Sequence, residues 1–140
     1  MKETIYILLF VFMSLNIFAQ NSFQPLQEAD WTFNRLDHQL HYFGSIGLTI
    51  IVSGFSTYAD LDNPNIKRGL IDGAIVGGGV AVAKEVVWDL ALGLGTPTYP
   101  DLVYGLAGVG VGLITTYIMY RIDRFFKKKE KERLKLEEAL

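Results

Sequence analysis

Residues Gly69–Gly95 read GLIDGAIVGGGVAVAKEVVWDLALGLG, an apolar and glycine-rich stretch that nevertheless contains Lys84, Glu85 and Asp89. As a helix, this stretch is long enough to cross the hydrocarbon core of a bilayer. A charge near the bilayer centre costs at least ~2.5–3.5 kcal/mol, so such residues are usually paired, face the protein interior and carry function. We therefore expect these three residues to belong to a functional polar cluster.

The composition of the whole chain favours a membrane protein. Hydrophobic residues make up 50% of the 140 positions, charged residues only 20%, and the mean hydropathy is +0.25. The formal net charge of -2 conceals a strongly basic tail after position 120. Cysteine is absent, which excludes disulfides, thiolate metal sites, cysteine nucleophiles and a lipid-modified cysteine anchor.

The N-terminal region is typical of export. Residues 1–19 are predicted to form a signal peptide, because Lys2 precedes a short apolar run and Ala19 offers a small residue for cleavage. An uncleaved signal anchor is the alternative. Residues 20–43 are predicted to form a polar leader and a short interfacial helix, with helical periodicity over Glu28–Tyr42.

Three further hydrophobic stretches predict a transmembrane domain over residues 44–122. They are Gly44–Ala59, Ile66–Leu94 and Leu102–Ile122, separated by turns rich in proline, glycine, asparagine and aspartate. Residues 123–140 are predicted to be a basic and mixed-charge tail. The sequence thus predicts an all-α fold, a small membrane bundle with three transmembrane helices after the signal peptide.

Charge in the connecting segments predicts the orientation of this bundle. The first turn is followed by Lys67 and Arg68, the second contains no lysine or arginine, and the tail is basic. The positive-inside rule then places the first turn and the tail in the cytoplasm and the N-terminus outside, in the bacterial inner membrane. The tail is expected to contact anionic lipid headgroups, whereas its acidic residues oppose nucleic-acid binding.

Glycine spacing predicts close helix packing. The glycines recur every four residues in the second and third spans, a small-xxx-small pattern that lets helix backbones approach each other. The same faces would permit a homo-oligomer. The residues are Gly69, Gly73, Gly77, Gly108 and Gly112.

The chemistry is expected to concentrate near the outer leaflet. Glu85 and Asp89 share a helix face with Lys84 about 100° away, and a purely structural ion pair is the alternative to a functional site. Topology brings His41 and Asp101 to the same leaflet, with an Asp37–His41 hydrogen bond expected to orient the imidazole ring. The predicted polar cluster therefore consists of His41, Lys84, Glu85, Asp89 and Asp101.

These ligand types suit zinc or another divalent ion, but their spacing matches no metal motif. A proton-sharing or packing network is the alternative that the sequence favours. No metal and no cofactor is therefore predicted.

Three segments carry a resemblance to known families: residues 37–49, residues 83–89 and residues 101–108. In order and spacing they resemble the YfiM-like lipoprotein family of bacterial envelope proteins, and more weakly the VanZ-like membrane proteins. The chain departs from the first family at His38, where lysine is usual, and at Gly105, where asparagine is usual. It also lacks the lipidated cysteine.

The resemblance implies an envelope membrane protein of unknown activity. We expect a non-enzymatic binding or accessory component that recognises a lipid-linked or amphipathic ligand, with membrane lipids and an envelope protein as partners. The alternative is a membrane-embedded enzyme acting on lipid or cell-wall precursor headgroups, with His41 and Glu85 as acid–base pair. Proton or ion passage is a third possibility, and it would require more polar residues in the cytoplasmic half, in one chain or in an oligomer.

Overall fold

The computed structural model describes residues 29–93 and 96–138, and within them the chain is helical with no strand. Helix α1 is Leu36–Thr57, α2 is Ile66–Ala83 with a π-helical continuation over Lys84–Ala91, and α3 is Tyr99–Glu138. The all-helical fold class predicted from the sequence is confirmed. The predicted signal peptide and the leader up to position 28 lie outside the described residues.

The three helices form an up-down-up bundle. Helices α1 and α2 are antiparallel, because Gly69 near the start of α2 lies against Thr57 at the end of α1, and Gly77 lies against Thr49. Helix α3 runs parallel to α1, as Gly108 packs against the backbone of Tyr42. The start of α1, the end of the π-helical segment and the start of α3 therefore meet at one end of the bundle.

Helix boundaries differ from the sequence prediction at two places. Instead of a separate interfacial helix followed by a span at Gly44, α1 is continuous from Leu36 to Thr57, because no proline interrupts this segment and Asp37 favours its first turn. Helix α3 combines the predicted third span with the tail. At 1.5 Å per residue its 40 residues reach about 60 Å, twice the hydrocarbon thickness, so its C-terminal part extends beyond the bundle.

The buried face of α2 and its continuation follows a four-residue repeat. In a regular α-helix each four-residue step over-rotates by about 40°, so the face would turn steadily away from the bundle. The π-helical segment has wider turns, seen in the Leu92 N–H to Val87 carbonyl hydrogen bond of 3.0 Å, and keeps its acidic residues on the inner side. The buried residues are Gly69, Gly73, Gly77, Ala81, Glu85 and Asp89.

The glycine positions predicted for packing all lie in helix contacts. The three glycines on α2 face a row of hydroxyl side chains spaced four residues apart on α1. The two glycines on α3 face backbone carbonyl groups of α1. A methyl group added at any of the five would collide with these neighbours. The α1 hydroxyl row consists of Thr49, Ser53 and Thr57, all fully or almost fully buried.

Burial in this bundle is inverted relative to a water-soluble protein. Among the described residues, the buried hydrophobic side chains are Ala81 and Val109, and the other buried side chains are mostly polar. Large apolar side chains instead point outward from each helix, with Phe55, Ile75 and Ile114 exposed by 79%, 66% and 62%. Soluble monomers rarely expose apolar surface on this scale.

One helix is long and apolar enough to cross a membrane. It is α3, whose most apolar 18-residue window has a mean hydropathy of 1.7. Only the described residues bear on this result.

The packing role of the glycines is tested by a matched pair on α3. In Gly108→Ala the new methyl group would meet the Tyr42 carbonyl oxygen and approach Ser45 Cβ to 3.0 Å, whereas nothing lies within 4 Å of a methyl group at Gly110. We expect Gly108→Ala to lower the free energy of unfolding by about 1–3 kcal/mol, because overpacking forces the backbones apart. Gly110→Ala should leave it unchanged or raise it by up to ~1 kcal/mol.

The measurement is denaturant unfolding of the full chain in detergent micelles, followed by circular dichroism. Equal effects of the two substitutions would contradict a bundle held by close approach at Gly108.

Candidate functional site

All five residues of the predicted polar cluster lie at the end of the bundle where the three helix ends meet. Helix α1 contributes histidine, the π-helical segment contributes the lysine and two acids, and the first turn of α3 contributes the third acid. The structure adds a second histidine and a threonine to this group. The complete set is His38, His41, Lys84, Glu85, Asp89, Thr98 and Asp101.

Lys84 joins the two acids of its own segment. Its Nζ atom donates to Asp89 Oδ2 at 2.6 Å and lies 2.9 Å from Glu85 Oε1. Both acids are buried, whereas the Lys84 side chain is 36% exposed. One ammonium group therefore pairs with two carboxylates of the same segment.

Thr98 orients two carboxylates that come from different elements. Its backbone N–H donates to Glu85 Oε2 at 3.0 Å, and its hydroxyl donates to Asp101 Oδ2 at 2.8 Å. The same hydroxyl oxygen lies 3.2 Å from the Asp101 backbone N–H, the geometry of a helix N-cap. Thr98 therefore fixes one oxygen of each acid and leaves the other oxygen facing the interior of the cluster.

His41 lies opposite these inward-facing oxygens. Its Nε2 atom is 3.9 Å from Glu85 Oε1 and 3.9 Å from Asp101 Oδ1. Asp101 Oδ1 is buried and accepts no hydrogen bond from any described residue. The histidine is the most accessible of the three, with 18% of its side chain exposed. The three side chains thus enclose a small space between helices.

The expected hydrogen bond from Asp37 to His41 is replaced by other contacts. Asp37 accepts from the Arg35 guanidinium at 2.7 and 3.2 Å and from the His38 backbone N–H at 2.9 Å. Partial burial raises the pKa of the Asp37 carboxyl group, but these hydrogen bonds outweigh it and hold the pKa below its usual value. The Asp37 carboxylate is therefore engaged by Arg35, two residues away, rather than by His41, four residues away on the same helix.

His38 is the more deeply placed histidine, which the sequence analysis did not assign to the site. Its side chain is 1% exposed, its Nδ1 atom lies 2.7 Å from the Thr32 carbonyl oxygen, and its Nε2 atom lies 3.5 Å from Asp101 Oδ1. The imidazole also stacks at a tilt on the Tyr104 ring, with 5.0 Å between centroids. Nothing in the sequence indicates this placement, because the His38 ring is held by the Thr32 carbonyl group in the non-helical segment before α1.

Aromatic side chains surround this end of the bundle. The Phe33 ring contacts the rings of Tyr42 and Tyr104, with centroid distances of 5.5 and 5.3 Å. The Tyr104 hydroxyl donates to the Trp31 carbonyl oxygen at 2.6 Å, which ties the segment before α1 to α3. This segment therefore covers the cluster from the end of the bundle.

Thr98 could have been found from the sequence. The run Thr98-Tyr99-Pro100-Asp101 has the Ser/Thr-x-x-acid spacing of a helix N-terminus, and proline is tolerated in a first helical turn. The sequence prediction begins the third helix at Leu102, after Pro100, and so leaves this N-terminal spacing outside the helix. Its second hydrogen bond, to Glu85, depends on tertiary structure and has no local signal.

A separate polar group occupies the opposite end of the bundle. Ser56 donates to Asp72 at 2.6 Å, and Asp123 pairs with the Tyr58 hydroxyl at 3.2 Å and with Lys127 at 3.2 Å. These acids have their partners at the surface and supply matched controls for the cluster.

No family model, curated protein or solved structure matches this chain significantly. The geometry of the cluster is therefore the basis for any assignment of function.

The positioning role of Thr98 is tested by Thr98→Val, which keeps the side-chain shape and removes the hydroxyl. We expect a loss of about 1 kcal/mol in unfolding free energy, because the N-cap and the Asp101 contact disappear together. Thr115→Val is the control, since that hydroxyl donates to Val111 of its own helix on the exposed side. Thermal unfolding of both variants in micelles measures the difference, and Thr98→Ser should behave like the unchanged chain. Equal melting temperatures for Thr98→Val and Thr115→Val would contradict the role.

Proposed function

We propose that this chain is a membrane-embedded protein of the bacterial envelope that binds an amphipathic ligand at its buried polar cluster. It would act as a binding or accessory component rather than as an enzyme. The observation that carries the proposal is the inverted burial: ionised and hydroxyl side chains fill the interior while large apolar side chains cover the outside.

Three membrane-spanning helices account for this inversion. In lipid, helices associate through small residues and interhelical polar contacts rather than through apolar burial. The glycine row of α2 against the small hydroxyl side chains of α1 is a small-residue contact of this kind. The apolar outer faces of the three helices would then contact acyl chains, which removes the cost of exposing them to water.

The proposed orientation places the cluster at the outer leaflet. Lys67, Arg68 and the basic part of α3 lie at the opposite end, and the positive-inside rule assigns that end to the cytoplasm of a bacterial inner membrane. The aromatic side chains around the cluster fit an interfacial belt at headgroup level. The tail would contact anionic lipid headgroups on the inner surface.

An apolar groove beside the cluster supports an amphipathic ligand. It has a volume of about 460 Å³ and is lined by Val80, Ala83, Val87 and Trp88, with Lys84 at its edge. A hydrocarbon chain in this groove would place its headgroup next to the partly exposed lysine. A lipid-linked ligand is also what the resemblance to VanZ-like proteins suggests.

One observation favours catalysis as the second candidate. His41 Nε2 lies 3.9 Å from the buried Glu85 carboxylate, and a pair at this distance could act as acid and base on a bound headgroup through a water molecule. A catalytic role requires turnover of a headgroup bond by the purified chain, and loss of turnover in His41→Gln with ligand binding retained.

Topology is tested by cysteine labelling, for which the cysteine-free chain has no background. Thr96→Cys, in the exposed turn before α3, should react with a membrane-impermeant maleimide on intact spheroplasts, because this turn is proposed to face outside. Asp62→Cys, in the exposed turn after α1, should react only after permeabilisation. Labelling of both positions on intact spheroplasts would contradict the three-span topology.

Function is tested by complementation of a deletion strain with Glu85→Gln, with membrane abundance measured in parallel. We expect normal abundance and loss of the phenotype, because the substitution removes the charge and keeps the side-chain shape. Asp72→Asn, at the opposite end of the bundle, is the control and should complement. Reduced abundance would favour a purely structural ion pair, and full complementation by Glu85→Gln would contradict the proposal.

A further inference from the structure

We infer that His41, Glu85 and Asp101 form a binding site for a divalent transition-metal ion, of which Zn²⁺ is the representative, with His38 lying beside it against Asp101. The inference rests on the proposed function, since it concerns the same buried cluster and supplies the group that an anionic headgroup would approach. The geometry, the charge and the hydrogen bonding of the cluster each support it separately.

The spacing of the donor atoms fits a metal ion. His41 Nε2 is 3.9 Å from each of Glu85 Oε1 and Asp101 Oδ1, and the two carboxylate oxygens are within 4.8 Å of one another. A point equidistant from the three atoms therefore lies at most about 2.5 Å from each, a few tenths of an ångström beyond Zn²⁺ ligand distances of about 2.0–2.2 Å. A small inward shift of the side chains completes the contacts.

The hydrogen bonding of His38 leaves Asp101 Oδ1 without a donor in the described part of the chain, and a metal ion would satisfy this oxygen. Because the Thr32 carbonyl oxygen can only accept, the Nδ1 atom 2.7 Å away must carry the proton. In the neutral ring the Nε2 lone pair then faces Asp101 Oδ1 at 3.5 Å, and that oxygen also lacks a hydrogen-bond donor among the described residues. Asp101 Oδ1 is thus a buried carboxylate oxygen without such a donor, and its partner is either a metal ion or a second proton on the His38 ring.

The outer contacts of these residues match those of metal ligands. Ligating carboxylates are held by hydrogen bonds, as Thr98 holds Glu85 Oε2 and Asp101 Oδ2. In each carboxylate the oxygen that Thr98 does not contact is the one that faces His41. Asp101 Oδ1 has no donor among the described residues, whereas Glu85 Oε1 also lies 2.9 Å from Lys84 Nζ.

The charge of the cluster also calls for a divalent cation. Glu85, Asp89 and Asp101 are buried, and the one lysine of the described residues that pairs with them, Lys84, is partly exposed. Three carboxylates and one ammonium group give a formal charge of -2 when the imidazole rings of His38 and His41 are neutral. The nearby Arg35 is engaged by Asp30 and Asp37 and cannot neutralise this charge. Isolated buried charges are costly, and a dication restores neutrality.

The donor types favour a first-row transition ion over calcium or magnesium. One imidazole nitrogen with two carboxylates suits Zn²⁺ and its neighbours, whereas Ca²⁺ and Mg²⁺ select oxygen donors. A second triple, Asp37 with His38 and Asp101, also has its donor atoms close together. Asp37 is already bound by the Arg35 guanidinium, so the triple that contains His41 is the better centre.

The test is equilibrium dialysis of the purified full chain in detergent micelles against Zn²⁺ alone, after removal of metals with EDTA. We expect one Zn²⁺ per chain, and at least a tenfold loss of affinity in Asp101→Asn and in His41→Gln. Asp72→Asn, whose carboxylate lies at the opposite end of the bundle, should bind as the unchanged chain does. Thr98→Val should weaken binding by about 10–100-fold, the effect of losing an outer contact.

A spectroscopic measurement separates binding from folding. Co²⁺ in place of Zn²⁺ should give visible absorption bands that Asp101→Asn removes while its circular dichroism spectrum stays helical. His41→Gln, at a partly exposed position, provides a second variant if Asp101→Asn fails to fold. Absence of Zn²⁺ binding by the unchanged chain, or equal binding by Asp101→Asn and Asp72→Asn, would overturn the site in favour of a protonated His38 paired with Asp101.

The metal inference and the proposed function can fail separately. Loss of complementation by Glu85→Gln together with no Zn²⁺ binding by the unchanged chain would overturn the metal site and leave the proposed function standing. Stoichiometric Zn²⁺ binding that requires Asp101 and His41, together with full complementation by Glu85→Gln, would support the metal site and contradict the proposed function.

Discussion

The fully buried Glu85 carboxylate is the constraint on which the rest of the structure depends. Away from water each of its oxygens needs a partner: one is Lys84 of the same π-helical segment, and the other is the Thr98 backbone N–H before α3. These contacts bring the end of the second helix and the start of the third together. The segment before α1 then closes the same end through Thr32 and Trp31. Glu85 thus joins the second helix to the third, and His38 and Tyr104 attach the segment before α1 at the same end.

Helix identity was predictable because it depends on local pattern. Apolar length, glycine spacing and turn residues located the three main helices and the residues at their contacts. The sequence could not show that α1 would absorb the interfacial segment, since helix continuity is decided by packing rather than by composition. The π-helical segment could not be predicted either. It keeps residues spaced four apart on the inner face of the helix, and this inner face is defined only once α2 packs against its neighbours.

The site was predictable to the extent that charge in an apolar stretch is anomalous. Lys84, Glu85 and Asp89 stand out by this criterion, and topology brings His41 and Asp101 to them. His38 reaches Asp101 through a contact between distant parts of the chain, which has no local signal. Thr98 has a local N-cap signal toward Asp101, but its hydrogen bond to Glu85 depends on tertiary structure. Polar residues near helix ends are common, so their type alone does not distinguish a ligand from a cap.

The inverted interior has a thermodynamic consequence. Soluble domains unfold with a large positive change in heat capacity because apolar surface becomes hydrated, and their stability curve is strongly bent as a result. In this bundle glycine, serine and threonine form the helix contacts while the isoleucine and phenylalanine side chains already face outward. Separation of the helices within lipid would hydrate little new hydrocarbon. The stability of the bundle would accordingly vary with temperature along a nearly straight line, governed by packing enthalpy rather than by water.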